Sequence, residues 1–128
     1  MRRVVFLFLL CFTIARADAA EPATQKFVVF FQEWSAKFDD AALAVINQAA
    51  ANAKAHPSSV VRVEGFADPT GSHAANALLT DLRAQVVMDQ LHSDGVPVGH
   101  IQGHGHGSVQ FALSSQESRR VEISLNGH

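Results

Sequence analysis

Two segments of this chain alternate apolar and polar residues with a period of two, and helical-period stretches separate the strand-like segments from one another. In residues 59–66, Val61, Val63 and Gly65 fall on one side while Arg62, Glu64 and Phe66 fall on the other, the pattern of a strand with one wet face. Residues 120–125, Arg-Val-Glu-Ile-Ser-Leu, repeat it near the end of the chain. Residues 26–31 instead carry, after Lys26, an unbroken aromatic and β-branched run, which predicts a strand covered on both faces near the centre of a sheet. The glycine-heavy segment 100–107 is assigned as a fourth strand, although glycine weakens strands.

The helical stretches lie between these segments. Asp39 or Asp40 caps a first helix whose Leu43, Ile46, Ala50 and Ala53 recur at helical spacing, and Pro57 ends it. In the second helix Leu78, Leu82 and Val86 form the predicted apolar stripe, with Leu91 near the end and Asp94-Gly95 as the stop. The order is therefore β-α-β-α-β-β. Right-handed crossovers place both helices on one face of a mixed four-stranded sheet, an α+β two-layer sandwich.

The chain opens with Arg2-Arg3, an apolar stretch over residues 4–15, and small-x-small sites at Ala15-Arg16-Ala17 and Ala17-Asp18-Ala19, which together read as an export signal. The apolar stretch is short of the roughly 20 residues that a spanning helix needs. Residues 1–20 are thus expected to be removed, leaving 21–128 as one domain in the periplasm without a transmembrane span. Cys11 is the only cysteine, so the exported form has no disulfide and no thiolate metal site. Cutting after Ala17 leaves 7 basic residues against 12 acidic ones and a net charge of −5. That balance does not invite nucleic acid.

Asp68 closes the second strand, Gly71 follows in the turn, and residues 76–84 continue on a helix that carries Arg83. A carboxylate in a strand-to-helix turn and a guanidinium on the next helix form a two-pole trap for a ligand bearing an ammonium and a carboxylate together, as free amino acid groups do. Because helical side chains lean back toward the N-terminus, the reach is best if Asn76 stands at or near the cap. The bland alternative is a structural Asp68–Arg83 ion pair.

Several segments, in order, resemble the OmpA-like peptidoglycan-binding domain found at the C-terminal end of outer-membrane barrels, in peptidoglycan-associated lipoproteins and in flagellar stator proteins. Phe30-Phe31 with Ser35 and Phe38 is similar to that family's first strand and turn. Residues 63–72, Val-Glu-Gly-Phe-Ala-Asp-Pro-Thr-Gly-Ser, resemble V-x-G-H-T-D-x-x-G-S. Residues 76–84 fit N-x-x-L-S-x-x-R-A with Thr80 at the serine position, Gly105-His106-Gly107 fits G-Y-G, and Arg119-Arg120-Val121-Glu122-Ile123 fits R-R-V-E-I. The resemblance implies non-covalent binding of peptidoglycan through meso-diaminopimelate of the stem peptide. It places Asp68 on the ligand's ammonium and Arg83 on its carboxylate, with Asn76, Thr80 and the turn at Gly71 shaping the pocket and Arg120 supporting it from the sheet. The chain departs from the pattern at Phe66, Ala67, Ala75, Ser118 and Trp34, and between Gly107 and Arg119 it is shorter than is usual. Phe66 and Ala67 are expected to orient Asp68 less well than the polar pair they replace. Trp34 either seals the core edge or walls the ligand.

Other constellations carry less. His104 and His106 share a strand face with His100 and His92 nearby, but no acid near them completes a set, so neither metal nor cofactor is expected. Ser72, His73 and Asp68 hold the letters of a triad, yet neighbours on one turn cannot align as one. The chain thus reads as a binding protein rather than an enzyme. Its rival reading is a protein-interaction subunit of an envelope complex that keeps the fold without the ligand; in the wall-binding reading the protein either works with an envelope protein partner or acts as a soluble wall-associated factor.

Overall fold

The computed structural model describes residues 25–108 and 118–126; the export signal read at 1–20 lies outside them. Strand β1 spans Gln25–Phe30, helix α1 Asp40–Ala55, β2 Val60–Ala67, α2 His73–Ser93, β3 Ile101–Ser108 and β4 Arg120–Asn126, with a 3-10 turn at Val98–His100 before β3. The sheet order is β1-β4-β2-β3. β4 runs antiparallel to both β1 and β2, and β2 runs parallel to β3 across the α2 crossover. Two helices over a mixed four-stranded sheet is the expected architecture.

β1 corrects the expectation of a central strand, because it is an edge strand paired only with β4. Val29 and, just beyond the strand, Phe31 are buried while Phe30 is exposed. An unbroken apolar run does not require cover on both faces. On the helix-free face Phe30 pairs in register with Arg120, which in turn pairs with Phe66, and such cross-strand neighbours supply apolar contact without a second layer.

The core lies between sheet and helices. Val61, Val63, Val121, Ile123 and Leu125 point inward from the strands and meet Ile46, Ala49, Ala50 and Ala53 of α1 and Ala84, Val87 and Leu91 of α2. Alanines on α1 bring the helix axis close to the sheet. Asp39 is its cap, accepting from the Ala42 amide at 2.8 Å.

α2 corrects the sequence reading twice. Its cap is Ser72, whose hydroxyl accepts from the Ala75 amide at 3.0 Å, so Asn76 stands a full turn inside the helix. The first half of the predicted stripe also faces the wrong way: Leu78 is 72% exposed and Leu82 53%, while Val86 packs partly buried against the core, and Asn76, Thr80, Arg83, Ala84, Val87 and Leu91 are buried. The inward face of the first half of α2 is polar because each buried polar group there finds a partner in a loop or strand, which removes the penalty that normally excludes such groups.

α2 also lies unusually close to β3. A Cβ built on Gly105 would stand 2.3 Å from Thr80 Oγ1 and 2.4 Å from the Asp81 nitrogen. The glycines of this strand are therefore the condition of its packing rather than a weakness.

Candidate functional site

Where β2 ends, Asp68 sits almost fully buried. One carboxylate oxygen accepts from the Thr70 amide at 3.1 Å and from the Thr70 hydroxyl. The other accepts from Arg119 Nη1 at 3.1 Å, an ion pair with both side chains largely out of water. Asp68 is thus held by Thr70 and Arg119. Beside the apolar Ala67, the turn two residues on supplies hydrogen bonds to the acid.

Arg83 is the largest fully buried side chain among the described residues. Its Nε donates to the Ser35 carbonyl at 2.8 Å and its Nη2 to the Gln32 carbonyl at 2.9 Å, with a longer contact of 3.4 Å from Nη1 to the Phe66 carbonyl. Its carbon centre lies 5.3 Å from the Phe31 ring. Burial lowers its pKa to about 10; the nearby charge of Arg119 pushes the same way, and Asp68 opposes both. The guanidinium remains charged at neutral pH, and it makes no hydrogen bond to Asp68. The direct Asp68–Arg83 ion pair considered from spacing is absent.

Asn76 joins three elements: its amide donates to the Thr70 carbonyl at 2.8 Å and the Ser108 hydroxyl at 2.7 Å. These groups enclose a notch lined by Glu33, Trp34, Asp68, Thr70, Asn76, Leu79, Arg83 and Arg119 among others, with about 10 Å³ of free volume, room for about one water. Asp68, Asn76 and Arg83 of the sequence-derived set meet there. Thr80 does not line it: the buried hydroxyl accepts from the Gly107 amide at 2.9 Å and donates to the Ala77 carbonyl at 3.0 Å, tying α2 to β3. Gly71, at φ +87°, lies under the Trp34 indole, 2.3 Å from where its Cβ would stand.

Arg120 lies on the other side of the sheet. Its guanidinium sits 4.4 Å from the Phe66 ring and donates to Glu122 at 3.2 Å. Its neighbour Arg119 is the one at the notch. The sequence carried that signal: Val121, Ile123 and Leu125 alternate inward, so extending the period backward puts Arg119 on the helix side and Arg120 on the open one. Phe66 shares the open face and stacks on His106 at 4.8 Å, so it does not replace a polar group in the notch. His106 also lies 3.4 Å from Glu64, which corrects the expectation that no acid stands near these histidines. Among the described residues no group of three or more His, Cys, Asp or Glu is placed to hold a metal ion, and no helix is long and apolar enough to cross a membrane.

The chain resembles the peptidoglycan-binding protein ArfA of Mycobacterium tuberculosis, 38% identical over 88 residues that cover 64% of this chain and 27% of the relative. It is 33% identical to the probable lipoprotein YiaD of Escherichia coli over 104 residues, 77% of this chain and 48% of that protein. It therefore spans about a quarter to a half of the length of these relatives. In three dimensions it superposes on the crystal structure of the peptidoglycan-associated lipoprotein of Burkholderia pseudomallei with a TM-score of 0.73 and 25% identity, over 77% of this chain and 89% of that one. The model of the OmpA family matches residues 30–123, from the end of β1 into β4 and across every residue that lines the notch, and the chain belongs to the OmpA family.

Proposed function

We propose that this domain binds peptidoglycan non-covalently from the periplasm, taking meso-diaminopimelate of the stem peptide into the notch between β2, α2 and the loop after β1, and that it performs no catalysis. The observation that carries the reading is the convergence at one opening of a carboxylate, Asp68, and two guanidiniums, Arg83 and Arg119, from three separate elements. Kinship with a protein named for peptidoglycan binding supports it.

In this reading the ligand's ammonium displaces Arg119 from Asp68. The freed Arg119 then joins Arg83 in facing the ligand's carboxylate, so one internal ion pair is exchanged for pairs to the ligand and no charge is left buried alone. The exchange also makes the room that the closed notch lacks. Thr70 and Asn76 keep the acid and turn in place; Thr80 and Gly71 act through packing, and Arg120 through the sheet.

The small free volume of the closed notch favours a second reading, a protein-interaction subunit that has the fold without the ligand. Retention on purified sacculi separates the two. The wall-binding reading requires capture that falls sharply for Asp68→Asn and Arg119→Gln, with thermal unfolding confirming that both variants fold. Undiminished capture of both, or none of the wild type, would leave the interaction reading.

A further inference from the structure

Trp34 combines three unusual properties. It is the one non-glycine residue among those described with a positive φ, +53°, its side chain is large, and it is 51% exposed. A bulky residue in the left-handed region is strained, and such strain persists where the surroundings impose it. The surroundings do so here. The turn from Gln32 to Ser35 closes through the Ser35 amide at 3.2 Å, and Arg83 pins the carbonyls at both of its ends. The backbone that carries the indole is therefore held in place at the mouth of the notch.

On the other side of the indole lies an open groove of about 840 Å³, walled by Ala36, Lys37 and Phe38 from the loop and by Val86, Asp89, Gln90 and Ser93 from α2. Trp34 lines both spaces. Along α2 the residues facing notch and groove form one stripe, Asn76, Leu79 and Arg83 and then Val86, Gln90 and Ser93, spaced three and four apart as one helix face requires. The groove is thus the continuation of the notch.

From this geometry we infer that the groove between Trp34 and Ser93 is a second subsite, which takes the stem peptide that runs on from the residue held in the notch. The inference rests on the diaminopimelate reading of that notch. Val86 to Ser93 span about 10 Å of helix, the length of about three extended residues. Ala36, Phe38 and Val86 offer an apolar floor for alanyl methyl groups, Lys37 offers a cation to the acidic residue of the stem on the loop side while Asp89 keeps that residue away from the α2 side, and the Trp34 face covers the point where the peptide leaves the notch. The subsite sets selectivity for the peptide over the free amino acid.

The test is calorimetric titration with two probes, free meso-diaminopimelate and the soluble tripeptide alanyl-glutamyl-diaminopimelate. The tripeptide is expected to bind the wild type at least about tenfold more tightly, a difference of about 1.4 kcal/mol. Lys37→Glu and Ser93→Phe, which alter exposed walls of the groove and leave the notch alone, should remove most of that advantage while free diaminopimelate binds as before. Equal affinity of the wild type for both probes, or equal weakening of both by the two variants, overturns the subsite and leaves the notch standing. No binding of either probe overturns the notch and the groove together.

Discussion

Replacing Arg83 by leucine should damage the fold before it damages any ligand contact, and the structure gives the size of the effect. The substitution keeps an apolar stem against Phe31 but removes the donors to the Ser35 and Gln32 carbonyls at 2.8 and 2.9 Å. The Gln32 carbonyl keeps the Ser35 amide as a donor at 3.2 Å, so the Ser35 carbonyl is the one orphaned, and a part-buried carbonyl left without a donor costs about 1–3 kcal/mol. The 3.4 Å contact to Phe66 is too long to add much. One term opposes the loss: the pKa of Arg83 is depressed to about 10, so below that pH its charged form is a cost to the folded state, and the cost lifts only as pH rises through and beyond that value. Leucine removes this cost at neutral pH. The net loss should be about 1–3 kcal/mol, or roughly 5–20 °C in the unfolding midpoint of a domain this size. Arg83→Lys, which keeps the charge and loses the planar fork, should fall between the two. Thermal and urea unfolding followed by far-UV circular dichroism measure it directly. An Arg83→Leu variant within about 0.5 kcal/mol of the wild type, the spread of ordinary surface substitutions, would refute the assignment of Arg83 as the anchor of the loop that carries Trp34.

Gly105→Ala would drive a Cβ to 2.3 Å from Thr80 Oγ1, so urea unfolding should show a loss of at least about 2 kcal/mol as overpacking between α2 and β3 forces them apart. Thr80→Val keeps the shape but orphans the Gly107 amide, and the same assay should read about 1–3 kcal/mol. Gly71→Ala combines strain at φ +87° with an overlap with the indole, for a loss of about 1–3 kcal/mol. It should also shift the fluorescence of Trp34, which reports on this spot alone because the chain has one tryptophan and no tyrosine.

The faces of β2 and β4 were legible because alternation with a period of two says which residues point inward, and the first helix because an aspartate cap and a run of alanines suit no other element. The inward face of α2 was not. Leu78 and Leu82 form an apolar pair at helical spacing, yet they face water, and the helix instead turns in Asn76, Thr80 and Arg83, whose partners are carbonyls and amides more than twenty residues away or in a neighbouring turn. Periodicity measures hydrophobicity, and it misleads where buried polar groups are satisfied by distant backbone. The acid and the guanidinium of the notch were readable from motif and spacing. That Arg83 spends its donors on the loop, that Arg119 rather than Arg120 pairs with the acid, and that Trp34 stands at the opening depend on where three loops converge.

The decisive measurement is titration of the folded domain with meso-diaminopimelate, followed through Trp34 fluorescence, for the wild type and for Asp68→Asn. A saturable change that the wild type shows and the folded variant loses is the predicted result. A wild type that does not respond and binds nothing by calorimetry, or a variant that binds equally well, would contradict it.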